Sequence, residues 1–171
     1  RHAVDYWRAR AKAGETNEPF MLQPVMEQVR EMYEEQLALA NIKLVFDCHF
    51  DGAKVNGEPT LFEQVFLNLI ANSRDAIKEI FGREAGGTIT LSGELEADGT
   101  CRISVADNGG GVDDSVLADM FDPFFTTKEP GKGTGLGLSV SFGTVRDMHG
   151  TIVAENIDSG LRVTLRIPVF H

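Results

Sequence analysis

Asn68, Asn72 and Asp75 follow one another at i, i+4 and i+7, a spacing that lines three oxygen-bearing side chains along one edge of a helix. Amide oxygens one turn apart suit a hard Mg2+ ion, which keeps several waters and bridges to phosphates. The plain alternative is the solvated flank of an amphipathic helix. Downstream, Asp107-Asn108-Gly109-Gly110-Gly111 closes a strand-like run. There a carboxylate can point into a pocket while the glycines admit a flat ligand to the backbone. Such an aspartate accepts a hydrogen bond from an amine such as that of adenine and rejects guanine, which offers an acceptor at that position. A tight Asn-Gly turn is the competing reading.

Glycine then crowds residues 131–137, Gly131-Lys132-Gly133-Thr134-Gly135-Leu136-Gly137, shortly after Phe121-Asp122-Pro123-Phe124-Phe125-Thr126-Thr127-Lys128. A backbone bare of side chains, edged by Lys128 and Lys132 and running into a helix-like segment from Leu136, lets amide N–H groups surround phosphate oxygens. A merely flexible loop is the alternative. Two known phosphate motifs fail on spacing. The P-loop needs Ser or Thr after its lysine, and Gly133 follows Lys132. A dinucleotide fingerprint needs a preceding strand, and Pro130 with a Phe/Thr stretch is not one. Of the aromatics, Phe121, Phe124 and Phe125 read as an apolar hinge for a mobile lid, with at least one of them in the core.

These residues need elements to hold them. Apolar spacing predicts a helix from Pro24 to about Ala40, with proline in its first turn. A strand is expected over Ile42 to Phe50. Thr60-Leu61-Phe62-Glu63 reads as a capping box opening a long helix to about Phe81, with a core stripe of Phe62, Val65, Phe66, Leu69, Ile70, Ile77 and Ile80. A hairpin follows, Thr88–Glu96 and Cys101–Asp107 about a turn at 97–99. Short helices over 114–120 and 136–148 flank the lid-like loop, and a last strand pair covers Gly150–Asn156 and Leu161–Val169. The alternation lacks a regular βαβ rhythm. The expected fold is therefore a two-layer α/β (α+β) sandwich, a mixed sheet of about five strands with helices packed on one face. Residues 1–13 favour helix and Gly14–Pro19 break it, so residues 1–19 read as the end of a preceding element with a linker.

With 171 residues, 42% of them hydrophobic, the chain has enough core for one domain. A formal charge of −10 argues against nucleic acid or anionic membrane as partners, because both need a basic surface. A polyphosphate must then be bound locally, with Mg2+ as neutraliser. Cys48 and Cys101 sit in apolar runs without a second ligand at metal spacing and read as buried thiols. No run of roughly 18 apolar residues occurs. A start at Arg1 rather than Met points to a piece of a longer protein.

The order of the motifs is more specific than any one of them: Asn-x-x-x-Asn on a helix, Asp-x-Gly-x-Gly after a strand, Phe-x-Pro-Phe-Phe, then Gly-x-Gly-x-Gly-Leu-Gly. That succession, over about residues 20 to 169, resembles the ATP-binding catalytic domain of sensor histidine kinases, within the superfamily that also holds DNA gyrase, the MutL repair proteins and the heat-shock chaperone ATPases. Gln64-Val65-Phe66-Leu67-Asn68-Leu69 and Gly133-Thr134-Gly135-Leu136-Gly137-Leu138-Ser139 are close to the family's wording. The resemblance implies ATP and Mg2+ as ligands: Asn72 holds the metal, Asn68 stands near the phosphates and Asp75 lies on the same edge. Asp107 binds adenine, with Gly109 and Gly111 shaping the pocket. The ATP lid runs from about Thr126 to Gly135, with Lys128 a phosphate contact and Gly133, Thr134, Gly135, Leu136 and Gly137 around the phosphates. Thr164 borders the adenine. Asn68 and Lys128 are the residues assigned to catalysis.

The departures from the pattern are as informative. Where the gyrase and MutL branches carry a water-activating glutamate, this chain has Asn68, which takes no proton from water, so hydrolysis is disfavoured. Ser73 replaces the alanine usual in the kinases and is expected to be a neutral change. None of the four histidines (His2, His49, His149, His171) fits the phosphoacceptor box. The implied partners are therefore a histidine-bearing dimerisation domain of the same or a sister chain and the receiver domain of a response regulator. The implied setting is cytoplasmic, within a homodimeric parent protein carrying any inner-membrane anchor elsewhere. Residues 1–19 would be the tail of the dimerisation helix and residues 20–171 the catalytic domain. The rival readings are a gyrase- or MutL-type ATPase, a non-catalytic nucleotide-sensing module and a serine-directed kinase of the same superfamily.

Overall fold

A computed structural model describes residues 18–82, 86–125 and 137–171. In chain order they form β1 (Pro19–Met21), α1 (Leu22–Leu39), β2 (Ile42–His49), β3 (Lys54–Asn56), α2 (Pro59–Phe81), β4 (Gly87–Leu95), β5 (Thr100–Asp107), α3 (Asp114–Asp119), α4 (Gly137–Asp147), β6 (Thr151–Ile157) and β7 (Gly160–Pro168). Five strands make one mixed sheet in the order β2-β4-β5-β7-β6. Only β2 and β4 run parallel, because α2 crosses between them; the remaining pairs are antiparallel. The helices cover one face, as expected for the two-layer sandwich.

Strand periodicity decides which side chains meet the helices. Ile89 and Leu91, Ile103 and Val105, and Val163, Leu165 and Ile167 are buried, and they meet Val25, Met26 and Val29 of α1 and Phe62, Phe66, Leu69 and Ile70 of α2 in one core. Gly93 leaves room for Phe50: a Cβ there would lie 2.3 Å from the ring. The opposite sheet face carries Thr90, Ser92 and Ser104, with the Ser92 and Ser104 hydroxyls 2.8 Å apart. Cys48 and Cys101 are buried free thiols.

Three details differ from the sequence reading. Helix α2 opens at Pro59, not at a Thr60 capping box: Glu58 is the N-cap and its carboxylate accepts from Thr60 N at 3.4 Å. Proline at the first helical position has no N–H to satisfy, so the helix starts one residue earlier. Ile80 leaves the core stripe and is 59% exposed. Lastly, β1 and β3 form an antiparallel ribbon apart from the main sheet. Phe20 of that ribbon packs on Phe62 with ring centroids 5.7 Å apart.

Candidate functional site

Asp107 is the last residue of β5 and one of the few polar side chains in the interior, 6% exposed. Its Oδ1 accepts from Gly109 N at 2.9 Å and from Leu161 N at 3.2 Å. Its Oδ2 accepts from the hydroxyl of Ser73 on α2 at 2.8 Å. The carboxylate is thereby fixed between the end of the sheet and the middle of α2. The local sequence requires this closeness. A Cβ on Gly109 would stand 2.8 Å from Ala76 Cβ and 3.0 Å from Ile77 N, and one on Gly160 would stand 2.0 Å from the carbonyl oxygen of Asp107.

The glycine loop after Asp107 is clamped by two asparagines. Asn108 accepts from Thr88 N and donates to Gly86 O. Asn156 of β6 accepts from Val112 N at 2.9 Å and donates to Val112 O at 2.6 Å, the pattern of a strand pairing made by a side chain. Between the clamps Gly110 and Gly111 take φ of +87° and +70°, where a Cβ is strained.

Asn68 sits nearer the start of α2 and reaches the other flank of the site. Its Nδ2 donates to Gly137 O at 3.1 Å and to Ser141 Oγ at 3.3 Å. Ser141 itself donates to Gly137 O at 2.9 Å. The first turn of α4 is thus tied to α2. Asn72 lies half-buried between Asn68 and Ser73, on the stretch of helix between the Asp107 cluster and α4. Asp75 pairs with Arg74 at 3.7 Å.

The structure therefore brings Asp107, Gly109 and Gly137 against α2, which carries Asn68 and Asn72 with Asp75 further along it, whereas Gly111 lies against Asn156 and Gly160. Thr164 is not brought there. It pairs with Ser104, three residues before Asp107, and that odd offset turns it to the opposite face of the sheet. The β7 residue that bonds the Asp107 carboxylate is Leu161, through its backbone N–H. Lys128, Gly133, Thr134, Gly135 and Leu136 lie outside the described residues. Of the expected aromatic hinge, Phe121 packs on Phe142 at 5.9 Å and joins the core edge. Phe124 is 75% exposed with φ of +65°. Ser73, read from the sequence as a neutral exchange for alanine, donates its hydroxyl to Asp107 Oδ2 at 2.8 Å, a bond that alanine would not make. A hydroxyl in the buried stripe between Leu69 and Ile77 must find a partner, and that position was the available signal.

A buried, fully oriented acceptor facing a helix that bears two asparagines one turn apart defines the site. Residues 57–171 match the family model described as histidine kinase-, DNA gyrase B-, and HSP90-like ATPase. The chain belongs to this family. The two-component sensor PprA of Pseudomonas aeruginosa is 42% identical over 115 residues, 67% of this chain. Sporulation kinase A of Bacillus subtilis is 31% identical over 148 residues, 86% of this chain. The chain spans only 12% and 23% of these two proteins. Among solved structures, the nucleotide-free catalytic domain of histidine kinase ThkA superposes with a TM-score of 0.75 at 30% identity, covering 88% of this chain and 94% of that one. A ThkA structure in complex with the response regulator protein TrrA shares the fold, with a TM-score of 0.72 at 24% identity over 99% of this chain and 48% of that one. The chain is thus an ATP-binding catalytic domain of the sensor histidine kinase type. Among its described residues no helix is long and apolar enough to cross a membrane.

Proposed function

We propose that this domain binds Mg-ATP between α2 and the ends of β5 and β7 and presents the γ-phosphate to a histidine imidazole on a dimerisation domain of the same or a sister chain. The observation that carries the reading is Asp107, buried and held at the end of β5 by Ser73, Gly109 and Leu161. An acceptor fixed in this way suits the amine of adenine. Asn68, with the first turn of α4, and Lys128 then belong at the phosphates.

Mg2+ fits the donor set in its usual manner. No group of three His, Cys, Asp or Glu side chains that could hold a metal occurs among the described residues, and Mg2+ asks for few protein ligands, completing its shell with phosphate oxygens and water. Asn72 would supply the amide oxygen, with Asp75 on the same edge. When bound, the ion neutralises phosphate charge in a domain whose own charge is strongly negative.

In the reaction the bond from the γ-phosphorus to the β–γ bridging oxygen breaks, a phosphorus–nitrogen bond forms, and ADP leaves. The imidazole proton passes to an acid-base group beside the acceptor, outside this chain. Catalysis by this domain is positioning and electrostatics. The phosphohistidine then serves a response-regulator aspartate. Residues 1–19 would link the domain to the dimerisation helix of a homodimeric parent working on the cytoplasmic side, where ATP is available, with any inner-membrane anchor elsewhere in that parent.

The test supplies histidine-box helices in trans with Mg-ATP. The expected product is acid-labile and base-stable, and the domain alone does not phosphorylate itself. An acid-stable product would point to a serine acceptor. Fast steady-state phosphate release from the domain alone would identify an ATPase instead.

A further inference from the structure

A carboxylate offers about four acceptor positions, two on each oxygen. At Asp107 both positions on Oδ1 are taken by backbone N–H groups, from Gly109 and Leu161. One of the two on Oδ2 is taken by Ser73 Oγ at 2.8 Å. A single acceptor position remains. The backbone donors belong to any chain with this strand end, whereas the third donor is a side-chain choice at position 73. A serine inside a helix commonly turns its proton back to the carbonyl four residues earlier. Ser73 sends its only proton across to β5 instead.

We propose that Ser73 is a positioning residue for recognition of the base: by holding Oδ2 of Asp107 it leaves one acceptor position at a fixed angle, and so sets how strongly the site prefers a purine bearing an exocyclic amine. This rests on the reading of Asp107 as the nucleotide pocket. Without the hydroxyl the carboxylate keeps its two backbone bonds on Oδ1, but Oδ2 gains a second open position that water fills and is no longer held in place. The orientation loosens while the acceptor itself survives. Loss of Ser73 should therefore weaken recognition of the amine specifically. Binding of the ribose and phosphates should be untouched, because those parts lie toward Asn72, Asn68 and α4.

The 171-residue chain can be titrated with ATP, with purine riboside triphosphate, which lacks the amine, and with GTP, in the parent and in Ser73→Ala, Ser73→Thr and Asp107→Asn. In the parent, ATP binds more tightly than either analogue. Ser73→Ala is expected to weaken ATP about tenfold, or ~1.4 kcal/mol, the order of one hydrogen bond to a charged acceptor. It should change binding of purine riboside triphosphate less than about twofold, so the ratio between the two collapses. Ser73→Thr retains the hydroxyl and should keep that ratio even if its stability changes. Thermal melts accompany each titration, and the ratio is insensitive to a shift in melting temperature that a packing role alone would cause. Equal losses for both nucleotides, an unchanged ratio in Ser73→Ala, or a ratio lost in Ser73→Thr would each overturn the role of Ser73. If Asp107→Asn abolishes ATP binding while Ser73→Ala binds like the parent, only the role of Ser73 falls. If Asp107→Asn binds ATP normally, the pocket reading falls and takes this inference with it.

Discussion

Asn68 Nδ2 lies 3.1 Å from the carbonyl oxygen of Gly137, so the helix that carries the two asparagines also holds the first residue of α4. The amide is committed as a donor, and Ser141 reinforces the same contact. An asparagine used in this way ties α2 to the start of α4, and it has no basic lone pair with which to activate water.

Asn68→Asp removes that donor and sets a carboxylate against a carbonyl oxygen. The expected loss of stability is about 1–2 kcal/mol, for one bond lost and one repulsion gained. Phosphotransfer to histidine-box helices in trans should fall about tenfold or more, because a small displacement of groups around the phosphates is costly. Thermal melts and single-turnover transfer measure the two effects. Transfer at the parental rate would remove Asn68 from the machinery.

Gly160 must be glycine for a reason of space. A Cβ would lie 2.0 Å from the carbonyl oxygen of Asp107 and 2.6 Å from its Oδ1, and both atoms belong to the strand end that orients the carboxylate. Gly160→Ala should therefore cost about 2–3 kcal/mol through backbone displacement and weaken ATP binding beyond what that stability loss explains. Calorimetric titration at a temperature where the variant is fully folded separates the two.

The clamp at Asn156 predicts a local effect. Asn156→Ala removes both of its bonds to Val112 at an exposed site, with an expected cost of about 1 kcal/mol. Amide hydrogen exchange should quicken in residues 109–112 and stay unchanged in β4 and in the buried turns of α2. Uniform acceleration along the chain would mean that the side chain only supports global stability.

The fold was legible because its elements announce themselves by period. The stripe of α2 from Phe62 to Ile77 and the alternation in β4, β5 and β7 place the same residues in the core that burial does. The candidate site was legible as far as a motif fixes a position along one element: Asp107 does end a strand and Asn68 does lie on the long helix. It was not legible where the answer depends on how two elements meet. Thr164 has a suitable side chain, but the β5–β7 register, which no single strand encodes, turns it to the far face. Ser73 looked interchangeable with alanine because its partner lies 34 residues away. The ribbon of β1 and β3 escaped for a related reason: three-residue strands show no period, and they pair only because their neighbours bring them together.

Burial of the two thiols makes the domain sensitive to alkali. Out of water, the thiolate is disfavoured, and the pKa of Cys48 is pushed up to about 12 and that of Cys101 to about 11 from an ordinary 9.0. Folding keeps both protonated, whereas the unfolded chain releases those protons near pH 9. The stabilising contribution is thus fully present below about pH 9 and is lost as pH rises through the folded values. Burial pushes the Tyr33 phenol in the same direction, so some alkaline loss persists without the cysteines. Urea melts between pH 7 and 11 should show stability falling above about pH 9. The fall should be shallower in the Cys48→Ala, Cys101→Ala double variant, which is less stable at pH 7 for the packing it loses. Identical slopes in the two proteins would mean that the thiols do not carry the effect.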